Sequence, residues 1–557
     1  MDDIPSRLMP SRARPATSRQ AAQEAAQGAA VREILEIGIA LAAERDRARL
    51  AEHILFGAMA VARADGGTIY LRTEGDHLEF SVRRTISLGI HQGGTSGEPI
   101  DLPAIPLHLP DGSLNCTTVA TYTANTGRSL TVDDAYAETG FNFAGPRAFD
   151  ARTGYRSTSF LGVPLVDHTR RVIGVIQLIN CHDVAGRVSP FDPQVVPLVE
   201  ALAGFAGVAV ENQQLIDGQR RLFDTLVQVM ARAIDAKSPY TGGHCQRVPV
   251  LTEMLARAAC DTAEGPYAAY GLTPEEWYEL QVAGGLHDIG KVVTPAHVMD
   301  KSTKLETIHD RIDEIRTRFE VLRRDAEIDY YRALTAGADP AEAQRTRDAA
   351  LAELDADLAF LETCNIGGES LAEADLTRLE VIAARPYVDA DGPRPLLSGE
   401  ELANLSVRRG TLTAAERQVI NDHMVHTVAM LEALPWPKHL ARVPHIAGTH
   451  HERMDGTGYP RGLKKHEISP LGRMMAIADI FEALTAQDRP YKPPKPVSES
   501  LGIMARMSRD HHIDHELFEL FIRSGVYRDY AERFLLPEQL DTIDEAALLA
   551  ASAPRPG

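Results

Sequence analysis

Residues 450–460 read HHERMDGTGYP: two adjacent histidines, an acid, and a glycine-rich turn that closes on Tyr459-Pro460. Neighbouring histidines alone say little. HERMD is not the HExxH pattern of zinc proteases, because Asp455 stands where the second histidine must be. The reading turns on whether other donors can converge on His450 and His451. The stretch GGLHDIGKV (284–292) pairs His287 with Asp288. Adjacent side chains on a helix diverge by about 100°, so both reach one cation only at a helix flank, with further ligands arriving from other helices. YTGGHCQRV offers His244, and INDHMVHTVAMLEAL offers His423 or His426. MMAIADIFEAL sets a lone acid, Asp479, among Met475, Ile477, Ile480 and Leu484. A carboxylate there is buried and ionised only if something compensates it, as a metal ion would; the plainer alternative is an acid on the polar face of its helix. HHIDH (511–515) has a metal-like composition but precedes the apolar stripe Leu517, Phe518, Phe521, and reads as a helix start capped by Asp514.

The chain of 557 residues, 44% hydrophobic and 24% charged, has a globular makeup and is too long for one core, so two or three domains are expected. A formal net charge of −20 speaks against broad binding to nucleic acid or to an anionic membrane, since either needs a basic surface. An anionic substrate would need local positive charge from metal ions or a few placed Lys and Arg. The five cysteines, Cys116, Cys181, Cys245, Cys260 and Cys364, form no CxxC pair, as suits free thiols in a reducing cytoplasm. No stretch reaches the roughly 20 apolar residues of a bilayer span. The expectation is a cytoplasmic protein with a disordered tail over residues 1–29.

From residue 30 to 213 the pattern is α+β. GTIYLR (67–72), HLEFSV (77–82), SFLGVPLV (159–166) and VIGVIQLIN (172–180) read as strands. Over 214–235, Leu215, Leu222, Leu226, Val229 and Ala233 share one stripe of a connecting helix, which suits either a short coiled coil or packing against the next domain. Residues 236–557 are mainly helical. Within them, 302–410 reads as an insertion: Leu305, Ile308, Ile312, Ile315, Phe319 and Leu322 alternate in threes and fours, as do Leu351, Leu354, Leu358 and Leu361 after TAGADPAEAQ. Two such stripes predict an antiparallel helical hairpin, an arm for dimer contacts or a partner.

ADGGTIYL, TGYRSTSFLGVPL and VIGVIQLIN resemble, in order and spacing, the GAF sensor domain. The cyclic-nucleotide-binding members carry an Asn-Lys, Phe and Asp-Glu signature; here Asn180 and Phe191 are in place, but Cys181 replaces Lys and Val195-Val196 replace the acidic pair. The likeness therefore implies a regulatory module with an unknown ligand or none. His244, His287-Asp288 and Asp479 resemble the H…HD…D set of the HD phosphohydrolases. Lys291, His423, His450-His451 and DGTGYP resemble the HD-GYP subgroup, bacterial phosphodiesterases that open cyclic di-GMP.

That resemblance implies two divalent metals, Fe or Mn, with Asp288 bridging, His244, His287 and Asp479 completing one site, and His423, His450 and His451 the other. It gives Lys291 the scissile phosphate, and it makes Asp455, Gly456, Gly458, Tyr459 and Pro460 a loop shared by substrate pocket and partner recognition. Tyr459, Arg489 and Lys492 would contact substrate. Tyr240 stands where some members carry a third-metal Glu, so two metals are expected. The implied function is hydrolysis of cyclic di-GMP to pGpG or GMP by a homodimer. Three alternatives stay open: cyclic GMP-AMP as substrate, a silent cyclic-dinucleotide receptor, and a one-metal HD nucleotidase or (p)ppGpp hydrolase.

Overall fold

The computed structural model describes residues 32, 34–41, 43–237, 243–368, 370–486 and 494–555, and divides into two compact units, Met1–Leu222 and Phe223–Gly557. The expected tail over 1–29, Tyr240, Arg489 and Lys492 lie outside the described residues. Among the described residues no helix is long and apolar enough to cross a membrane.

In the first unit the strands are β1 (Ala64–Arg72), β2 (His77–Thr85), β3 (Ile90–Gly93), β4 (Ile105–Pro106), β5 (Leu130–Val132), β6 (Phe160–Val166), β7 (Val172–His182) and β8 (Val188–Ser189). They form one sheet of order β3-β2-β1-β7-β6-β5, with β4 added to β2 and β8 to β7, every pair antiparallel. The two-residue period divides the side chains between the faces. Ile69, Leu71, Ile176 and Leu178 pack under helix α1 (Arg47–Ala62) and the start of a longer helix, while Tyr70, Leu78 and Val175 face α2 (Val119–Thr126). Asn180, the residue that fits the nucleotide signature, is fully engaged in structure. Its carboxamide oxygen accepts the backbone N–H of Thr158 (2.7 Å) and its amide donates to the Arg156 carbonyl (2.8 Å).

The connecting helix, α3 (Val196–Lys237), runs well beyond the expected 214–235. Leu202, Ala203, Ala206 and Val210 enter the core of the first unit, and Val227, Ala231 and Ile234 that of the second. The expected stripe is on the other side: Leu215, Leu222, Leu226 and Val229 are each at least half exposed.

The second unit is built from α4 (His244–Asp261), α5 (Pro274–Leu286), α6 (Ile312–Thr335), α7 (Pro340–Ile366), α8 (Glu373–Ala384), α9 (Gly399–Leu405), α10 (His423–Glu432), α11 (Val443–Ala447), α12 (Pro470–Thr485), α13 (Val497–Arg509), α14 (His515–Arg523) and α15 (Val526–Phe534). One core joins α4, α5, α11 and α12 to α13, α14 and α15. The helices α6 and α7 make the expected hairpin, tied by Arg316–Glu362 and Arg323–Asp355. The insertion holds more than the hairpin: α8, α9 and a two-stranded hairpin of β9 (Pro386–Asp389) and β10 (Gly392–Pro395) close a separate core around Phe319, Leu361, Leu379 and Leu405. Ile308 does not join the expected stripe. The helix begins only at Ile312, and Ile308 is 96% exposed in the loop before it.

Candidate metal centre

His287 and Asp288 fall where α5 stops. His287 is the helix's C-cap residue, Asp288 leaves helical geometry at φ −107°, and a short 3₁₀ turn, Ile289–Val293, follows. The break removes the 100° divergence that a continuous helix would impose. The turn is pressed against α10 at Gly290, where a Cβ would lie 1.9 Å from the His423 carbonyl oxygen. The Gly290 N–H donates to the Thr427 hydroxyl at 2.9 Å. A side chain at 290 would push Asp288 away from His423.

All seven expected ligands converge. Asp288 Oδ2 lies 3.3 Å from Nε2 of both His244 and His287, and its Oδ1 lies 3.3 Å from Nε2 of His423. Asp479 Oδ1 is 3.2 Å from His244 Nε2. The donor atoms of His244, His287 and Asp479 lie within 4.8 Å of one another, as do those of His423, His450 and His451, and a third such group, His287, Asp288 and His450, joins the two. One carboxylate thus shows an oxygen to each triad. His426 is exposed, and His445 accepts the Ser469 N–H at the start of α12, so neither takes part.

The orientation of the rings is informative. His287 Nδ1 bonds the Gly284 carbonyl (2.6 Å), His450 Nδ1 that of Ala447 (2.7 Å), His423 Nδ1 that of Ile420, and His244 Nδ1 the Glu482 carboxylate. A neutral imidazole that donates from Nδ1 carries its lone pair on Nε2. The Nε2 atoms of His244, His287, His423 and His450, together with Asp288 Oδ1, are buried without a hydrogen-bond partner. A buried polar atom left unpaired costs about 1–3 kcal/mol, and five together have one economical explanation in a cation. The donor set of imidazoles and carboxylates, with the rings of His244, His287, His423 and His450 each fixed by an outer hydrogen bond, fits a pair of divalent transition metals.

The electrostatics agree. Burial, then the neighbouring His287, push His450 down to about 4, and burial with His450 holds His451 well below the ordinary value, so both are neutral donors at pH 7. Burial works against ionised Asp288 and Asp479, but Lys291 and His287 beside the first, and His244 beside the second, hold both well below the carboxylate range. Burial likewise opposes a charged His244, yet Asp288, Asp479 and Glu482 outweigh it and hold that ring well above its usual value. Three carboxylates around one imidazole demand positive charge, which a proton or a cation can supply.

Glu482 is a residue the sequence reading passed over. Three positions after Asp479 on α12, it is buried, accepts from His244 Nδ1, and accepts from Arg247 Nε (2.7 Å) and Nη2 (2.6 Å). The signal was present as a second acid in the same apolar helix. The end of α3 also reaches the site: Asp235 accepts the Cys245 N–H at 3.1 Å, and Lys237 Nζ donates to the carbonyls of Lys291 (2.9 Å) and Val292.

Lys291 Nζ lies 2.5 Å from Asp288 Oδ2, so it borders the cluster as an ion pair. Beyond α11 the chain turns into the GYP loop. Tyr459 stacks on His451, centroids 5.0 Å apart and planes 20° from parallel, and burial pushes its hydroxyl up to about 12. Asp455 accepts from the Thr457 N–H (2.9 Å) and hydroxyl, which folds it into the loop rather than the cluster. Glu452, buried beneath, accepts the N–H of Arg461 (2.7 Å) and Leu463 (2.9 Å). A Cβ on Gly458 would sit 2.3 Å from the Arg453 nitrogen, so only glycine lets the loop lie this close. Gly456 takes φ +83°, and the Tyr459-Pro460 bond is cis.

Comparison with known proteins agrees with this division. Residues 46–210 match the GAF domain family and residues 398–517 the HD domain family, the latter taking in His423, His450, His451 and Asp479. Over 336 residues the chain is 45% identical to a 3'3'-cGAMP-specific phosphodiesterase 3 of Vibrio cholerae, covering 56% of this chain and 45% of that protein. It is 38% identical over 127 residues to a cyclic di-GMP phosphodiesterase of Thermotoga maritima (22% of this chain, 34% of that one). It is also 38% identical over 119 residues to a cyclic di-GMP phosphodiesterase of Pseudomonas aeruginosa (21% and 28%). The chain spans less than half the length of these curated relatives. It carries a GAF domain followed by a helical HD domain region.

Proposed function

We propose that this GAF and HD domain protein is a metal-dependent phosphodiesterase that hydrolyses cyclic di-GMP to pGpG or GMP, acting in the cytoplasm as a homodimer whose rate answers to the GAF domain. The observation that carries the reading is the set of unpartnered Nε2 atoms of His244, His287, His423 and His450 around one two-faced carboxylate, Asp288.

His244, His287 and Asp479 would hold one ion, His423, His450 and His451 the second, with Asp288 between them; Fe and Mn suit this donor set. Bound there, two cations lower the pKa of a water and take up phosphate oxygens. The rest of the work belongs to the chain. The outer hydrogen bonds to Gly284, Ala447, Ile420 and Glu482 fix the imidazoles, which spares reorganisation when substrate arrives. Lys291 brings a cation to the edge of an otherwise acidic molecule, where a phosphodiester must approach. The Tyr459 ring gives the same edge an aromatic face. By their place in the DRPYK motif, Arg489 and Lys492 are assigned to the guanine or phosphate of the dinucleotide. The GAF ligand is a small molecule of unassigned chemistry, and the GYP loop and the inserted arm are surfaces for protein partners.

The identity with a 3'3'-cGAMP-specific enzyme favours a second reading in which cyclic GMP-AMP is the substrate. Purified protein loaded with Mn or Fe, given each dinucleotide separately, distinguishes the two. Linear product from cyclic di-GMP, lost in His287→Ala with Asp288→Ala, is the expected result. Turnover of cyclic GMP-AMP alone moves the assignment to the second reading, and turnover of neither overturns both.

A further inference from the structure

The stretch GGLHDIGKV sets two glycines just ahead of His287, and each is hemmed in by a different helix. A Cβ on Gly284 would lie 3.0 Å from Pro249 of α4, and one on Gly285 would lie 2.7 Å from Val227 Cγ1 of α3. The last turn of α5 thus ends with α3 against Gly285, next to Gly284, whose carbonyl orients His287. Further contacts of α3 fall on the same neighbourhood. Asp224 accepts the Tyr278 hydroxyl of α5 at 2.7 Å. Helix α4 starts after Gly243, which has no side chain to cap it, and the Asp235 carboxylate stands in by accepting the Cys245 N–H at 3.1 Å, beside His244. Lys237 Nζ holds the carbonyls of Lys291 (2.9 Å) and Val292, in the turn that follows Asp288. The segments held in this way carry His244, His287 and Asp288, and none carries His423, His450 or His451. Toward α10 the helix offers Phe223 against Trp436, past the end of α10 that is remote from His423. Asp288 serves both triads, but its place beside His423 has a separate anchor in the fit of Gly290 against α10.

From this we infer that the last turns of α3 position the first ion of the centre and not the second, and that the GAF domain acts on the phosphodiesterase by setting the affinity of that one site. Asp235 and Lys237 are the positioning residues. Each acts on backbone next to a ligand and touches neither ion nor substrate. The route is α3 itself, a single helix over Val196–Lys237 with Leu202 and Ala206 in the core of the first unit and Val227, Ala231 and Ile234 in that of the second. Helix shifts of about 1–2 Å are a common switching movement. One of that size at the end of α3 breaks hydrogen bonds of 2.9 and 3.1 Å, since little remains of such a bond beyond about 3.5 Å. The contact of Gly290 with α10 is untouched by it, so the second triad keeps its geometry. This inference rests on the two-ion reading proposed above and names what regulation of that centre acts upon; it does not depend on which dinucleotide is cleaved.

Titration of the chelator-treated full chain with Mn, free ion followed by its electron paramagnetic resonance signal, gives the test. Wild type should take up two ions. Asp235→Ala with Lys237→Met should weaken one of them about 10-fold, the low end of what loss of an outer partner costs, and leave the other within twofold. Asp235→Asn with Lys237→Arg keeps an acceptor and a donor in place and should restore the wild-type pattern, which separates positioning from a general loss of fold. The site is identified in two backgrounds: with His451→Ala the remaining ion should weaken by the same factor, and with His244→Ala it should not. Gly218→Pro breaks the hydrogen-bond ladder of α3 at a position where a Cβ meets nothing within 4 Å, and should change the affinity of the same ion more than twofold. Equal losses at both sites, or at neither, overturn the inference and leave the two-ion reading standing. A Gly218→Pro protein with both wild-type affinities overturns the route along α3. A wild-type chain that binds fewer than two ions overturns the reading of the centre and this inference with it.

Discussion

Replacing Glu482 by glutamine isolates one link of the metal centre. The carboxylate holds His244 Nδ1 with one oxygen and the Arg247 guanidinium with the other. Glutamine keeps the volume but has a single acceptor oxygen, so its amide must point N–H at either the ring N–H or the guanidinium, donor against donor. His244 also loses the negative charge that raises the basicity of its Nε2. Loss of such an outer partner costs about 10-fold to 100-fold in metal affinity, or about 1.4–2.7 kcal/mol. Stability falls too: breaking a buried pair costs about 3–5 kcal/mol, and the 22% exposure of the Arg247 side chain places this one at the low end, about 3 kcal/mol. The assay is titration of chelator-treated protein with Mn, free ion followed by its electron paramagnetic resonance signal, beside a thermal melt. Adding Arg247→Met to Glu482→Gln removes the donor clash, so the double variant should regain stability while its Mn affinity stays weak. If Glu482→Gln binds Mn within twofold of wild type, His244 is not oriented through this carboxylate and the reasoning fails.

Three further outcomes follow from the geometry. Gly290→Ala puts a methyl 1.9 Å from the His423 carbonyl, and should destabilise the HD region by about 1–3 kcal/mol or more and abolish Mn binding by separating Asp288 from His423; a soluble variant with wild-type affinity would contradict this. Lys237→Met removes the ammonium from the carbonyls of Lys291 and Val292, and is expected to speed amide exchange over 289–294 and lower kcat more than it raises KM, with Lys237→Arg recovering most of the loss; unchanged exchange would show that the contact positions nothing. In the insertion, Glu401 accepts both Arg318 Nη atoms (2.8 and 2.9 Å) and the Ser398 N–H; burial opposes its charge, but Arg318 prevails and keeps its pKa below 4.5. A carboxyl depressed on folding stabilises above its unfolded pKa and loses that contribution as pH falls through the folded value. The stability gap between wild type and Glu401→Gln, read from exchange over 312–405, should therefore be full at pH 7 and shrink as pH falls through the depressed folded-state value of Glu401.

The pattern of residues determined a good deal unaided. Period-two alternation marked β1, β2, β6 and β7, the apolar setting of Asp479 among Met475, Ile477 and Ile480 left it either compensated in the interior or on a polar helix face, and the resemblance carried by the HD, HH and GYP motifs implied seven donors for one centre. The strands were legible because they rest on the chain's own local periodicity, and the burial of Asp479 was raised by the chemistry of one side chain in its immediate setting.

Other features were settled only by tertiary structure. Periodicity placed Leu215, Leu222, Leu226 and Val229 on one stripe but could not say whether that stripe was covered, since that depends on which side of α3 the two cores occupy. Continuing the 3-4 pattern back to Ile308 failed because the loop before Ile312 takes its hydrogen bonds from Glu306 and Asp310 and leaves no helix for Ile308 to join. The adjacency of His287 and Asp288 gave no hint that α5 ends between them, a break held by the contact of Gly290 with α10 about 130 residues further on. The partnership of Glu482 with His244 and Arg247 spans more than 230 positions. A sequence names the groups and the faces of each element; which groups meet across elements is fixed by packing among distant segments.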